Sequence, residues 1–149
     1  MLVGCGSSAP APNTPVENTG EGEAPPAIEI VGTHVAPHSI EVVCNDPSGW
    51  CTEGVEDTMV VRDAGEGRIA VEIALLQTNA HSCTFEGTLE PVRGQDGAWH
   101  MDELAEGEWP CALDLRVEGE TLRLTSEGCR LYCGARASLD ATFPWRGSP

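Results

Sequence analysis

The chain has 149 residues and a formal net charge of −16 at pH 7, and all eight of its basic residues are arginine. The negative charge disfavours nucleic acid as a partner, because phosphate binding needs a positive surface. The lack of lysine excludes Schiff-base chemistry and phosphate-binding loops that depend on a lysine side chain.

The first residues of the chain, Leu2-Val3-Gly4-Cys5, resemble the lipobox at which bacteria cleave a lipoprotein precursor and lipidate its new first residue. The resemblance implies a fatty-acylated Cys5 and an address in the bacterial cell envelope, periplasmic or surface-exposed. A signal peptide has a basic start and an apolar stretch of about 7 to 15 residues, whereas only Met1 precedes this box. We therefore expect residues 1–5 to be the remainder of a signal sequence whose start lies upstream.

The next segment, residues 6–27, contains five prolines among Ser, Ala, Asn, Gly and Glu. Such a composition cannot bury enough apolar area to offset the entropy lost when a chain is ordered. The sequence therefore predicts a disordered tether over residues 6–27. Residues 28–149 are then expected to form one domain.

In this domain apolar residues recur at every second position, which is the period of a strand with one buried face. The clearest runs are residues 69–75, 83–89, 111–117 and 139–143. Gly119 and Glu120 separate the third run from Leu122 and Leu124, which predicts a β-hairpin over residues 111–126. Weaker strands are predicted at 28–31, 40–44, 58–62 and 98–101.

None of these segments carries a persuasive helical stripe. About eight short strands joined by Gly-rich turns predict an all-β fold, a small antiparallel β-barrel or β-sandwich. Trp99 lies on one of the strands and is expected in the core.

Six cysteines lie in the predicted domain, and an even number in a small acidic domain indicates three disulfides and an oxidising compartment. Cys44 and Cys51 flank a turn-rich segment, which favours a local pair. Cys83 and Cys111 are in phase with the buried residues of their strands, so both sulfurs are expected to point inward. The preferred pattern is Cys44–Cys51, Cys83–Cys111 and Cys129–Cys133.

The main alternative crosses the last two pairs, so that Cys83 and Cys111 each bond to one of Cys129 and Cys133. The position of the predicted strand at 98–101 decides between them. If that strand lies between Cys83 and Cys111 in one sheet, their Cα atoms are about 9 to 10 Å apart, beyond the reach of a disulfide.

Two loop tryptophans lie beside carboxylates, Trp50 near the first cysteine pair and Trp109 before Cys111. Interface energy concentrates on aromatic side chains, so these positions suit the binding of a basic partner. The predicted partner-binding residues are Trp50, Trp109, Asp102, Glu103, Glu106 and Glu108. The carboxylates lack the spacing of an EF-hand, and no metal ligand, cofactor or catalytic residue is predicted.

Residues 129–139, taken with 81–85 and 111–113, resemble the closing segment of small secreted bacterial domains of unknown activity. The whole arrangement of lipobox, tether and acidic, disulfide-held β domain is similar to membrane-bound lysozyme inhibitors of Gram-negative envelopes. Those inhibitors enter the lysozyme cleft with a loop that contains Ser and Lys. This chain has no Lys, so no inhibitory residue is carried over.

The sequence therefore predicts a non-enzymatic envelope lipoprotein, held on a membrane through Cys5, whose β domain binds a basic extracytoplasmic protein such as a lysozyme. One alternative is a structural or assembly accessory of an envelope complex. Another is a small hydrolase or metal-dependent enzyme, which would require a pocket that gathers histidines and carboxylates.

Overall fold

The computed structural model describes residues 27–103, 110–134 and 136–145, and it contains eight antiparallel strands in one meander. Each strand pairs with the next strand along the chain. The first strand also contacts the last, so the sheet curls into a nearly closed barrel. The strands are β1 (Gly32–Val43), β2 (Trp50–Gly65), β3 (Arg68–Gln77), β4 (His81–Pro91), β5 (Ala98–Glu103), β6 (Cys111–Glu118), β7 (Thr121–Gly128) and β8 (Ala141–Pro144).

This architecture confirms the predicted all-β fold and selects the barrel form. The alternating residues of the predicted runs point into one core, which includes Met59, Ile73, Leu75, Leu113, Leu115 and Phe143. Trp99 is 1% exposed, and its indole N–H donates to the Gly67 carbonyl at 3.0 Å. Its predicted place in the core is confirmed, and the single polar atom of the ring has a partner, as a buried indole requires.

The predicted strand at residues 28–31 is wrong. Residues Ala27–Ile30 form a short 3₁₀ helix, and β1 begins only at Gly32, whose φ is 141°. The Ile30 carbonyl lies 2.7 Å from Nε2 of His34, which ties this turn to the start of β1. An apolar residue at alternate positions fits such a turn as well as a strand, so the short pattern could not separate the two.

The disulfides are Cys44–Cys51, Cys83–Cys133 and Cys111–Cys129. The first pair and the inward direction of Cys83 and Cys111 are as predicted, since both are at most 1% exposed. The preferred pairs Cys83–Cys111 and Cys129–Cys133 are wrong, and the crossed alternative holds.

Strand order explains the crossed pairing. β5 lies between β4 and β6, so Cys83 and Cys111 are two strand spacings apart. A four-residue helix, α1 (Arg130–Cys133), follows β7 and brings Cys133 to β4, while Cys129 remains beside the start of β6. Among the residues that the structure describes, no helix has the length and apolar content needed to cross a bilayer.

Candidate functional site

The hairpin of β1 and β2 extends beyond the rest of the sheet. β1 pairs with β2 from Gly32↔Val61 to Val43↔Trp50, whereas the pairing of β2 with β3 stops at Thr58↔Ala74. We call the part beyond this point, residues 37–56, the arm. Its connecting loop is closed by the Cys44–Cys51 disulfide.

One face of the arm packs against the body of the domain. Ile40 is 5% exposed, and β1 contacts the 3₁₀ turn Thr78–Ala80 that follows β3. The Val43 N–H also donates to Oδ1 of Asn79 at 3.4 Å. These contacts brace the arm, so its other face has a fixed orientation.

The opposite face of the arm is exposed along its whole length, and we call it the arm face. Residues directly opposite in an antiparallel pair project to the same side, so Val43 and Trp50 lie together at the tip of this face. They are 64% and 50% exposed. Closer to the barrel the same face carries two exposed carboxylates, and its members are Pro37, Ser39, Glu41, Val43, Trp50, Thr52, Gly54 and Glu56.

The loop at the tip of the arm has its own hydrogen-bond network. Oδ1 of Asp46 accepts hydrogen bonds from the N–H and the hydroxyl of Ser48, at 2.9 and 2.8 Å. The backbone and side-chain hydrogen bonds from Ser48 lower the pKa of Asp46. Asp46 therefore keeps its negative charge beside Trp50 under mildly acidic conditions.

A second candidate surface is a groove of about 580 Å³ on the outer side of β4, β5 and β6. At its centre is His100, which lies opposite Glu90 on β4 and Asp114 on β6. Nδ1 of His100 is 2.9 Å from Oδ1 of Asp114. Asp102 and Arg116 complete the charged lining, and Met101 contributes apolar surface.

A single strand pairing limits this groove. The ladder between β4 and β5 consists of Glu90↔His100 and Pro91↔Trp99 only. Thr88 and Asp102, the next residues in register, line the groove and are not paired. We call the space between residues 82–88 of β4 and residues 101–103 of β5 the seam.

Helix α1 lies at the inner side of the seam. The ring of Tyr132 packs edge-on against Phe85 of β4, with centroids 5.0 Å apart. Its hydroxyl donates to the carboxylate of Glu103 at the end of β5, at 2.9 Å. Partial burial, followed by the hydrogen bond and the charge of Glu103, raises the pKa of Tyr132 above its usual value of 10.0.

The structure separates the predicted partner-binding residues. Trp50 is on the arm face and Asp102 is in the groove, with β3 and β4 between their strands. Glu103 is bonded to Tyr132 instead of lying free in an acidic loop. Glu106, Glu108 and Trp109 lie outside the described residues, as do the predicted lipidation site Cys5 and most of the tether.

Sequence reasoning missed His100 and Asp114. Their outward direction follows from the alternation around Trp99 and Leu113, but their contact depends on the register of β5 against β6. Among residues 27–103, 110–134 and 136–145, no group of three or more His, Cys, Asp or Glu side chains is arranged to hold a metal ion.

Comparisons of the chain with models of protein families, with curated proteins and with solved structures found no match.

Proposed function

We propose that the chain is a non-enzymatic lipoprotein of the bacterial envelope that binds a basic extracytoplasmic protein, such as a lysozyme, through the arm face. The observation that carries the proposal is the exposed pair of Val43 and Trp50 at the tip of a braced, disulfide-closed hairpin. A soluble domain usually buries a side chain as large as tryptophan, and an exposed one beside other apolar atoms is typical of a binding surface.

The arm is suited to binding because it is ordered before a partner arrives. Association costs free energy for each loop and side chain that must be fixed at an interface. The Cys44–Cys51 bond, the Ser48–Asp46 hydrogen bonds and the contact with Asn79 fix this loop in the free protein. The binding energy of Trp50 is then available for affinity.

The charge of the protein selects a basic partner. The chain carries a net charge of −16, and the arm face itself holds Glu41 and Glu56 next to the apolar tip. Complementary charge raises the rate of encounter and disfavours acidic partners. An apolar anchor with a carboxylate border therefore fits a basic surface that has a hydrophobic cleft.

The direction of β1 supports a membrane-anchored arrangement. The tether would join the domain before Gly32, at one end of β1, whereas Val43 ends the same strand at the arm tip. An extended strand rises about 3.3 Å per residue, so the two ends are separated by roughly 35 to 40 Å. A lipid on Cys5 would thus hold the domain with its arm face pointing away from the bilayer. Three disulfides also suit an exported protein.

The test is titration of the soluble domain with purified lysozyme by calorimetry, together with an assay of lysozyme activity, at low and at moderate salt. We expect saturable binding that weakens as salt rises, because salt screens exposed charges. Trp50→Ala is expected to weaken binding by about ten-fold or more, as truncation of an interface anchor does.

Matched variants separate the arm face from general effects. Val31→Ala removes an exposed apolar side chain near the other end of β1 and is expected to leave binding unchanged. The pair Glu41→Gln with Glu56→Gln should weaken binding more than Glu66→Gln with Glu120→Gln, which makes the same change of net charge in distant turns. Absence of binding and inhibition at both salt concentrations, or equal loss in both pairs, would contradict the proposal.

A small hydrolase is a second candidate, and the His100–Asp114 pair favours it. A histidine whose Nδ1 is held by a carboxylate presents Nε2 as a base, and this one lies in a groove that also holds Glu90 and Asp102. Hydrolysis of ester or glycoside reporters that disappears in His100→Gln would support this reading. An accessory role in an envelope complex would instead show as a co-purified partner of the lipid-anchored form whose binding survives Trp50→Ala.

A further inference from the structure

The edge of β4 that faces the seam has unused backbone groups. The Val92 N–H donates to the Ala98 carbonyl at 2.9 Å, and Glu90 pairs with His100 in the same register. Backbone N–H and C=O groups along a strand point alternately to its two neighbours. Those of Thr84, Glu86 and Thr88 therefore also point toward β5, and within the described residues the ladder supplies them with no partner.

The seam is wider than a normal strand spacing at this end. Paired strands are about 4.8 Å apart, yet a whole tyrosine side chain lies between the two strands here. Tyr132 contacts the Phe85 ring on one side and reaches the Glu103 carboxylate on the other. One strand is therefore missing from an otherwise continuous barrel wall at this position.

The two sides of the seam differ in chemistry. The inner side presents the aromatic and thioether surfaces of Phe85, Tyr132 and Met101. The outer side presents the exposed carboxylates of Glu86 and Asp102. A strand placed in the seam would thus direct alternate side chains toward an apolar surface and toward negative charge.

We propose that the seam binds an extended segment of a basic protein as an additional β-strand, with alternating apolar and cationic residues. The backbone of the segment pairs with the free edge of β4. Its apolar side chains lie against Phe85 and Met101, and its lysine or arginine side chains face Glu86 and Asp102. This inference rests on the proposed function, since it names a second contact with the same class of partner.

Charge argues for this occupant over a second copy of the chain. Pairing of two β4 edges would bring Glu86 and Glu90 of one copy against the same residues of the other. Like charges opposite each other across a strand pair destabilise the pairing. A cationic segment removes that repulsion and supplies the backbone partners.

The probe is a dye-labelled, capped octapeptide of alternating lysine and valine, measured by fluorescence anisotropy with the folded domain. Two control peptides are one with glutamate in place of lysine and one with four lysines followed by four valines. We expect saturable binding of the alternating peptide only. The block peptide has the same charge but cannot place its valines on one side of a strand.

Two variants at one position separate backbone pairing from charge. Glu86→Pro removes the seam-facing N–H at a strand edge, where proline is tolerated, and is expected to weaken peptide binding by about ten-fold or more. Glu86→Gln keeps the N–H and is expected to weaken it about two- to five-fold. Amide hydrogen exchange of the unmutated protein gives an independent reading that needs no variant: Thr84, Glu86 and Thr88 should become protected when the peptide binds.

Binding that the alternating and block peptides share equally, or no protection of these amides with bound peptide, would overturn the inference. Concentration-dependent protection of the same amides without peptide would also overturn it, because a second copy would then occupy the seam. Lysozyme binding that depends on Trp50 but occurs without any peptide binding would remove the seam alone. Peptide binding without lysozyme binding would remove the proposed role of the arm face alone.

Discussion

The hydroxyl of Tyr132 lies 2.9 Å from both carboxylate oxygens of Glu103, so one side chain connects helix α1 to the end of β5. The helix is also bonded to β4 through Cys83–Cys133. Four residues therefore span the two sides of the seam. The inner side of the barrel wall is closed here by a side chain and a disulfide instead of by a strand.

This contact predicts a late titration of Tyr132. Partial burial and the neighbouring Glu103 charge raise its pKa above 10.0, so the folded state holds the phenolic proton more tightly than the unfolded state. The resulting stability is present below pH 10 and is lost as pH rises through the folded pKa. The chain has one tyrosine, so absorbance of tyrosinate at alkaline pH reports this group alone.

Glu103→Gln is the matched variant for this titration. It removes the charge but leaves the burial, so the pKa of Tyr132 should fall toward 10.0 without reaching it. An unmutated protein whose tyrosine titrates at the value of a free peptide would show that the hydroxyl does not contact Glu103.

The disulfide pairing gives a second prediction. Cleavage after arginine puts the four central cysteines on four separate peptides, residues 69–93, 94–116, 124–130 and 131–136. Without reduction, we expect 69–93 linked to 131–136 and 94–116 linked to 124–130. Mass spectrometry of a denatured, unreduced digest checks this. A link between 69–93 and 94–116 would instead restore the Cys83–Cys111 pairing.

The alternating pattern was sufficient to predict most of the strands and their buried faces. Ile73 and Leu113 point inward because the period of two leaves only two registers, and one of them would bury charged residues. The pattern could not place one strand beside another. That is why the sequence favoured Cys83–Cys111, since the intervening position of β5 and the four-residue helix at Cys133 have no periodic signature.

The candidate surfaces follow the same division. The turn residues around Trp50 indicated an exposed loop, and Trp50 is exposed on the arm. His100 and Asp114 meet only because β5 and β6 pair in one register, which the residues between these strands do not specify by composition. The seam depends on a pairing that stops at Glu90↔His100, and the alternating residues 82–90 continue past that point unchanged.

Gly128 should be the least replaceable glycine of the barrel end. Its φ is 76°, and an added Cβ would overlap the carbonyl of Pro110, which accepts the Cys129 N–H at 2.7 Å. Gly119 is the matched position, because its φ is 60° but no atom lies within 4 Å of its Cβ site. Left-handed backbone costs an alanine about 1 to 2 kcal/mol, which is the expected loss for Gly119→Ala.

For Gly128→Ala we expect a loss of about 3 kcal/mol or more, because the backbone of Pro110 must also move. Urea unfolding of both variants measures the difference. Equal losses at the two positions would mean that Pro110 does not contact Gly128 closely.

Asp57 supports the base of the arm, where the pairing of β2 with β3 ends. It is 8% exposed, its Oδ1 accepts the Leu76 N–H at 2.8 Å, and the same oxygen lies 3.1 Å from Nε2 of His38. Asp57→Ala leaves a buried N–H and the buried ring nitrogen without this oxygen, which is expected to cost about 2 to 3 kcal/mol. Asp57→Asn keeps an acceptor for Leu76 and should cost less.

Asp63→Ala is the control for Asp57, because Asp63 also accepts a backbone N–H, that of Gly65 at 2.8 Å, but is exposed. Its loss should be about 0.5 kcal/mol, since water replaces the carboxylate. Urea unfolding gives all three values. If Asp57→Ala were as mild as Asp63→Ala, the carboxylate would not hold the arm. In that case lysozyme binding through Trp50 should also be insensitive to Asp57→Ala, whereas a supporting carboxylate predicts that binding weakens together with stability.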